Sequence, residues 1–480
     1  MAGQMSFDLQ KRQIHYRFMI TQLLSMKFSA TSSNLLQKCI ALLLFGVLCS
    51  ANGAAQKKWS LQECIDYALT NNIQLKQNMI SAASAEEDEL AAKAALLPGV
   101  SANTNQNVSY RPFSQQTINL TNGTMTTSKS ETSYNGSYGI SANWTVWNGG
   151  RNTRNIKRSR YSRQLADLQT QETANSIQEQ ITQLYIQILY ENEAVKVDSE
   201  IVKASILQRD RAKERVKLGD LAKVDLAQLE AQVTQDQYQL VSAQSQLDNY
   251  KLQLKQLLEL QGTEDFDVEM PLVSDGSVMT VIPPKTEIYN TALTLRPEIA
   301  SGKMNVEASN LDVMIARSGY YPTISMNAGL NTSNASAIHT NFATQAKTNW
   351  NNAIGLTISM PIFDNRQTKT AVQKAKLSVE NSQLQLQSTQ KKLYSDIENY
   401  WLQATTAQQQ YLAARANVES MQQSYDLVSE QFRLRMKNIV ELTTGKNNLL
   451  QAQQNLLQSK YTALYNLAML RFFQGQGIRL

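Results

Sequence analysis

The chain has 480 residues, of which 18% are charged and 7% are aromatic, with 46 Lys and Arg against 40 Asp and Glu. Much of the net charge of +6 lies in residues 1–55, which carry five basic residues and one acidic residue. The rest of the chain holds 41 basic and 39 acidic side chains, a balance that gives no overall attraction to nucleic acid. We therefore expect no nucleic-acid partner.

The N-terminal residues 1–55 have the pattern of a secretory signal peptide. An apolar run of twelve residues, 39–50, is followed by Gly53-Ala54-Ala55. The run is too short for a membrane anchor, and small residues follow it as they do at a cleavage site. We predict cleavage after Ala55 and translation from Met26. No later segment has about 18 consecutive apolar residues, so we expect no transmembrane helix.

Two segments in each half of the chain alternate between apolar and small polar residues. In residues 133–146 the even positions are mostly apolar or aromatic, whereas the odd positions are Ser, Asn, Gly and Thr. A period of two over about ten residues is typical of a β-strand between lipid and a watery lumen. The pattern predicts strands over residues 98–113, 133–147, 322–335 and 349–363, with a polar loop over residues 112–132. We expect a lipid-facing aromatic belt made of Tyr134, Tyr138, Trp144, Trp147 and Trp350.

Long helices follow each pair of predicted strands. Residues 151–216 contain neither Pro nor Gly, and apolar side chains such as Ile177, Ile181 and Leu184 recur at spacings of three and four. At 1.5 Å per residue, such a helix spans roughly 100 Å. We predict long helices over residues 151–217, 221–261, 366–434 and 439–474, and a helical segment over residues 59–97 that Pro98 ends.

The second half of the chain repeats the first. Ala68-Leu69-Thr70 recurs as Ala292-Leu293-Thr294 at an offset of 224, and Trp147-Asn148 recurs as Phe363-Asp364 at an offset of 216. The order helix, strand, strand, long helix, helix is therefore expected twice. We predict a first repeat over residues 56–261, a linker over residues 262–286 and a second repeat over residues 287–480.

The repeat and its motifs resemble the TolC-like outer-membrane efflux protein family. The shared motifs are Leu97-Pro98, Trp147-Asn148-Gly149-Gly150-Arg151 and Leu295-Arg296-Pro297-Glu298-Ile299. The resemblance implies an α+β membrane protein with two tandem helix-strand-strand-helix-helix repeats. In this family a trimeric 12-stranded outer-membrane β-barrel continues as a long periplasmic α-helical barrel. A trimer is also expected on physical grounds, because four strands cannot close and open sheet edges in lipid leave backbone groups unpaired at several kcal/mol each.

The resemblance further implies a passive channel in the cell outer membrane that extends into the periplasm. It would be the exit duct of a tripartite efflux pump or of a type I secretion system. The implied partners are the other chains of a homotrimer, a periplasmic adaptor protein, an inner-membrane pump of RND or ABC type, and outer-membrane lipid. The alternative is a non-channel periplasmic coiled-coil protein with a structural or adaptor role. That alternative explains the helices and leaves the alternating strands unexplained.

The chain offers few residues for catalysis or metal binding. His15 and His339 are its only histidines, and Cys64 is the single cysteine that remains after removal of the leader. Thr444-Gly445-Lys446 imitates the end of a phosphate-binding loop, but the first glycine and the final hydroxyl residue of that motif are missing. We therefore expect no enzymatic activity, no cofactor, no metal site and no intrachain disulfide.

A basic cluster follows the second predicted strand and consists of Arg151, Arg154, Lys157, Arg158, Arg160 and Arg163. Nucleic-acid binding is one interpretation, but aromatic residues do not interleave with the cluster and the protein is predicted to be exported. Snorkelling toward phospholipid headgroups is a second interpretation, and a plain solvated face is a third. The sequence leaves the last two open.

The turns between the long helices form the predicted functional site. The resemblance implies that they lie at the periplasmic tip, where family members constrict the pore and acidic rings favour cations. The chain departs from the family pattern by having Arg435 at a glycine, Phe432 at a tyrosine and Thr444 at a pore-narrowing aspartate. By resemblance, Lys437 is expected against the first turn, near Asp225; ordinary capping and solvated turn charges are the alternative. The predicted gate residues are Val216, Gly219, Asp225, Phe432, Arg435, Lys437 and Glu441.

Overall fold

The structure is a computed structural model, and it describes residues 58–110, 117–121, 124–128, 132–260, 266–271, 274–338 and 340–478. The predicted leader with its cleavage site lies outside these residues, and so does His339. None of the helices in the described ranges combines the length and the apolar character that crossing a membrane requires.

The N-terminal helical segment is divided in two. After a short strand, β1 (Lys58–Trp59), come α1 (Leu61–Asn71) and α2 (Ile73–Ala94). The continuous helix predicted over residues 59–97 is wrong at Asn72, whose backbone is extended with ψ 130°. There the Asn72 side-chain oxygen accepts a hydrogen bond from the Leu75 N–H at 3.1 Å, which caps α2.

The first pair of long strands encloses an additional hairpin. Strand β2 (Gly99–Tyr110) is followed by β3 (Thr117–Thr121) and β4 (Thr124–Ser128), and then by β5 (Thr132–Asn148). Strands β3 and β4 pair with each other in the segment that was expected to be a polar loop, residues 112–132. The loop prediction is therefore wrong for these strands. Half of their residues are Thr, whose β-branched side chain favours an extended backbone.

Two long antiparallel helices follow β5. They are α3 (Arg151–Lys217), with 67 residues and a length of about 100 Å, and α4 (Lys223–Leu257), with 35 residues. The second is shorter at both ends than the helix predicted over residues 221–261. Ala222 is extended and serves as the N-cap, and Glu259 has a left-handed φ of 56°, so neither residue continues the helix.

The segment between the halves contains short elements. Strand β6 (Asp267–Val268) pairs in parallel with β1, and α5 (Asp275–Val278) follows it. Helix α6 (Lys285–Leu295) begins within the linker predicted over residues 262–286. Helix α7 (Pro297–Arg317) has Pro297 in its first turn, where a backbone N–H has no partner within the helix. The Tyr185 hydroxyl donates a hydrogen bond to the Glu269 carbonyl at 2.7 Å and so ties this segment to α3.

The second pair of long strands is β7 (Thr323–Ala335) and β8 (Asn351–Ser359), with a short helix, α8 (Phe342–Thr348), between them. Asn341 caps α8 by accepting a hydrogen bond from the Thr344 N–H at 2.8 Å. Strand β8 is shorter than the strand predicted over residues 349–363, and Pro361, which cannot donate to a ladder, lies just beyond it. The last two elements are α9 (Gln367–Arg433) and α10 (Ile439–Phe473).

The four long strands form one antiparallel sheet in the order β2-β5-β7-β8. Paired residues share a face, so the register divides the side chains into two sets. Ile140 pairs with Ala102 and Leu330 on one face, which is largely apolar and aromatic. Its neighbour Ser141 pairs with Ser101 on the opposite face. All paired residues of that opposite face are Ser, Asn, Thr, Gly or Ala.

The helices meet end to end at two junctions. The Asn72 side-chain nitrogen donates a hydrogen bond to the Leu257 carbonyl at 3.3 Å, so α2 begins where α4 ends. The Arg296 guanidinium lies 4.6 and 4.2 Å from the ring centres of Phe472 and Phe473, so α7 begins where α10 ends. A cation at the C-terminal end of a helix is electrostatically favourable. Apolar cores surround both junctions and include Leu75, Leu254, Ile299 and Leu470.

Candidate functional site

The two turns that join the long helices have the same backbone conformation. Gly219 follows α3 with φ 74°, and Arg435 follows α9 with φ 65°. The N–H of Asp220 donates to a carbonyl five residues earlier at 2.8 Å, and the N–H of Met436 does the same. Both turns are therefore Schellman motifs. Glycine adopts the left-handed conformation freely, whereas for a residue such as Arg435 it costs about 1 kcal/mol.

The two turns are joined through one carboxylate, that of Asp220, which forms ion pairs with two arginines. The Asp220 carboxylate lies 2.5 Å from the Arg435 guanidinium and 3.5 Å from that of Arg215. Arg215 also lies 5.7 Å from the centre of the Phe432 ring, within the range of a cation–π interaction. Asp220 and Arg215 were not among the predicted gate residues. The available signal was Arg435 itself, a charged residue at a turn position where the family has glycine.

Lys437 forms its ion pair at the start of its own helix. Its ammonium group contacts the Glu441 carboxylate, one helical turn away, and Glu441 shares a reciprocal capping box with Asn438. The hydrogen bond from Lys437, and after it the one from the Asn438 N–H, lower the pKa of Glu441. The contact expected between Lys437 and Asp225 is wrong within one chain, because the ion pair described for Lys437 is with Glu441.

The other predicted gate residues lie in or beside the turns. Val216 is half-buried, and its carbonyl accepts a hydrogen bond from the Gly219 N–H at 3.0 Å. Asp225 lies in the first turn of α4, where the free N–H groups of the helix favour a negative charge. Thr444 is exposed on α10. The structure thus places Gly219 and Arg435 in the turns, Val216 and Phe432 in the last turns of α3 and α9, and the two acidic residues at the starts of α4 and α10.

Two buried layers of side chains lie beside these turns. The apolar layer contains Ala212, Leu229, Ile439 and Leu442, with Phe432 packed against it. The charged layer contains Ser205, Asp236 and Lys446, all nearly inaccessible to solvent. In the sequence, Lys446 stands out only as part of an imperfect phosphate-binding motif. A lysine among the mostly polar residues of an amphipathic helix gives no local sign that it is buried.

A β-bulge sets the orientation of the tryptophans at the lower end of β5, where the strand leads into α3. Trp144 pairs with Met326 and Trp147 pairs with Ile324, so the register shifts at the intervening Val146. Because Met326 and Ile324 share a face of β7, Trp144 and Trp147 also share a face. Strict alternation would have turned the odd-numbered Trp147 toward the polar side.

Aromatic side chains occur at both ends of the apolar face. At the lower end, Trp147 packs against Tyr321 with ring centres 6.2 Å apart. At the upper end, Tyr138 packs edge-on against Phe342 of α8 at 5.7 Å. Trp350 lies just before β8 and is 58% exposed. Tyr138 and Trp144 are six residues apart on β5, a distance of about 20 Å along a strand.

Half of the residues in the basic cluster form ion pairs within the chain. Arg160 and Arg163 contact the buried Glu89 of α2 at 3.4 and 3.6 Å. Arg158 contacts Asp312 of α7 at 3.0 Å. The hydrogen bond from Lys93, together with the charge of Arg160, lowers the pKa of Glu89. These ion pairs join α3 to α2 and α7, which neither the solvated-face nor the headgroup interpretation anticipated.

Residues that could bind a metal are scattered across the described ranges. No three His, Cys, Asp or Glu side chains there are grouped as metal ligands. Cys64 is fully buried in the main apolar core. His339 lies outside the described residues, so its expected lack of a catalytic role stays a prediction.

The chain shares its fold, a sheet with one apolar and one polar face continued by two long helical hairpins, with solved outer-membrane channels. The solved Campylobacter jejuni CmeC outer membrane channel shares this fold with a TM-score of 0.74 and 18% sequence identity. That similarity covers 87% of this chain and 86% of the CmeC chain. The family described as outer membrane efflux protein matches residues 64–259 and 288–476. The chain belongs to this family and is an outer-membrane protein, which confirms the resemblance seen in the motifs.

Individual relatives are distant. The chain is 23% identical to outer membrane efflux protein BepC of Brucella suis over 176 residues, which are 37% of this chain and 38% of BepC. It is 21% identical to outer membrane protein TolC of Escherichia coli over 266 residues, which are 54% of this chain and 53% of TolC. The chain therefore spans about half, or less, of the length of these curated relatives.

Proposed function

We propose that three copies of the chain form a passive channel through the outer membrane, the exit duct of a tripartite efflux pump or of a type I secretion system. The observation that carries this proposal is the two-faced sheet. Its apolar face suits lipid, and its face of small polar residues suits a watery lumen. The four strands have 9 to 17 residues, long enough to cross the hydrocarbon region at a tilt.

The free edges of the sheet support the trimer. Within the described part of the chain, β2 pairs only with β5 and β8 only with β7. In lipid, the unpaired N–H and C=O groups along such edges cost several kcal/mol each. Three sheets placed edge to edge, with β8 of one copy beside β2 of the next, form a closed barrel of twelve strands.

Matching backbone conformations support the tandem repeats over residues 56–261 and 287–480. Gly149 and Asn365 are both left-handed, and so are Gly150 and Arg366. Members of each pair are 216 residues apart, as are Gly219 and Arg435 in the turns. Arginine rarely adopts this conformation without a structural requirement, whereas asparagine does so more readily than most residues. The shared geometry therefore fits two copies of one ancestral unit.

In the proposed assembly, the helices extend the barrel into the periplasm and the turns at Gly219 and Arg435 form its gated tip. The pair between Asp220 and Arg435 joins the two hairpins of one chain there. Asp225 and Glu441, repeated three times, supply negative charge around the opening. A periplasmic adaptor and an inner-membrane pump of RND or ABC type complete the proposed machine and provide its energy.

The competing proposal is a periplasmic coiled-coil spacer, which gives the apolar face of the sheet no role. Cell fractionation, gel mobility before and after heating, and planar bilayer recording separate the two. The channel proposal expects a trimer in detergent-extracted outer membrane that dissociates on heating and conducts ions. A soluble periplasmic protein that forms no heat-labile trimer and no conducting pore would support the spacer and overturn the channel.

A further inference from the structure

A charged layer is buried among the long helices close to the turns. Lys446 is 4% exposed, Asp236 is 7% exposed and Ser205 is 2% exposed. Each lies seven residues, or about 10 Å along its helix, from a member of the apolar layer beside the turns. Those members are Ile439, Leu229 and Ala212. The charged layer is therefore the next heptad layer of the same helix packing.

The layer is closely hydrogen-bonded. The Lys446 ammonium nitrogen lies 2.5 Å from one Asp236 carboxylate oxygen and 3.0 Å from the Ser205 hydroxyl. The Ser205 hydroxyl donates to the same carboxylate oxygen. Gln232 donates to the other carboxylate oxygen at 2.8 Å. The Asp236 carboxylate thus accepts three hydrogen bonds, one of them from the cation that balances its charge.

The two charges come from different helical hairpins. Ser205 and Asp236 belong to the α3–α4 hairpin, whereas Lys446 belongs to the α9–α10 hairpin. If the hairpins separate or slide, the ion pair breaks. A charge left in a buried site without its partner is strongly unfavourable, so the pair favours one register of the two hairpins.

We propose that Lys446, Asp236 and Ser205 form a latch that holds the two hairpins of each chain together and so resists opening of the tip. This inference rests on the proposed channel function. It differs from the surface pairs in the turns, because the charges of the latch are shielded from salt by burial. High salt should weaken the exposed pair between Lys437 and Glu441 and leave the latch largely intact.

The test compares single-channel conductance in planar bilayers with hydrogen exchange at the amides of residues 439–449 in detergent. The latch variants are Lys446→Met, Asp236→Asn and Ser205→Ala, the last of which removes a hydroxyl and no charge. A charge-exchanged double variant, Lys446→Asp with Asp236→Lys, tests pairing directly. The matched control is Lys460→Met, because Lys460 of α10 also pairs with a residue of α3, Glu193, at 3.3 Å. That pair lies two heptads farther from the turns.

We expect Lys446→Met to raise conductance about twofold or more and to speed exchange about tenfold or more, because the hairpins separate more easily. Ser205→Ala should show a smaller change in the same direction. The double variant should move back toward wild type, and Lys460→Met should match wild type. All of these differences should persist at high salt.

Three results would overturn the latch. One is a conducting wild-type trimer with latch variants indistinguishable from Lys460→Met in both measurements. Another is failure of every latch variant to assemble while Lys460→Met assembles, which would show a requirement for folding instead. The third is a charge-exchanged variant no closer to wild type than the single variants. A wild-type protein that does not conduct would instead refute the channel, while hydrogen exchange would still test the latch.

Discussion

Arg435 binds Asp220 at 2.5 Å from a left-handed backbone conformation that glycine adopts at the equivalent position of the other turn. The Arg435 side chain therefore forms an ion pair between the two hairpins, while its backbone is strained by the left-handed conformation. These two effects can be separated by substitution, because glycine relieves the backbone and alanine does not.

Replacement of Arg435 tests the backbone cost. Arg435→Gly and Arg435→Ala both remove the ion pair, but only glycine fits φ 65° without steric strain. Arg435→Gly should therefore be more stable than Arg435→Ala by about 1 kcal/mol. Thermal loss of helical circular dichroism in detergent measures the order. An Arg435→Ala protein that melts at or above Arg435→Gly would show that the turn is not strained there.

The two basic residues of the second turn should differ in their effect on the tip. Arg435 joins the two turns, whereas Lys437 pairs with Glu441 at the start of α10. Arg435→Ala should therefore increase single-channel conductance, and Lys437→Ala should change it little. High salt should reduce the difference between wild type and Arg435→Ala, because the arginine is 66% exposed and its pair is screened. Equal conductance of wild type, Arg435→Ala and Lys437→Ala at low salt would show that the ion pair of Arg435 does not hold the tip closed.

The two faces of the sheet should respond differently to charge. Ile140 and Ser141 are neighbours on β5 but pair with residues on opposite faces. Ile140→Arg should impair insertion by about 2–4 kcal/mol if the residue lies near the membrane midplane, and Ser141→Arg should be tolerated better. The yield of heat-labile trimer in outer-membrane fractions measures this. Similar losses from both substitutions would refute the assignment of faces.

Asp198 should make the protein less stable as the pH rises. This residue is 4% exposed, and burial, followed by the negative charge of Asp236, raises its pKa above the ordinary value of 3.8. The folded protein then binds this proton more tightly than the unfolded chain does. Stability is therefore lost as the pH rises from 3.8 through the higher folded pKa.

The measurement for Asp198 is melting temperature as a function of pH. Asp198→Asn should melt above wild type at neutral pH, and the difference should vanish below pH 3.8. Glu200→Gln is the control on the same helix, since the Glu200 side chain is 73% exposed and pairs with Lys203 at the surface. A gain for Glu200→Gln as large as that for Asp198→Asn would exclude burial as the cause.

The leader prediction concerns export. If translation starts at Met26, deletion of residues 1–25 should leave the amount and the mass of the mature protein unchanged. Cleavage after Ala55 should make Gln56 the first residue found by N-terminal sequencing. Detection of residues 1–25 in the assembled outer-membrane protein would contradict both expectations.

The strands and long helices could be predicted because their signals are local. Alternation with a period of two identified residues 133–147, and β5 is Thr132–Asn148. A long stretch without Pro or Gly predicted residues 151–217, and α3 is Arg151–Lys217. The break at Asn72 was missed because its side chain caps α2 while also binding the distant Leu257 carbonyl. The hydrogen bond to Leu257 cannot be predicted from the spacing of residues near Asn72.

The sequence by itself determined the period of the four long strands and the four long helices, most of the apolar and polar faces, the family and the turns as the place to look for a gate. Only the tertiary structure decided the partners of the charges. Arg435 binds Asp220, and Lys446 is buried against Asp236, in each case across two helical hairpins. The physical reason is that a period describes one helix or strand, whereas an ion pair depends on which face of a second helix lies beside it.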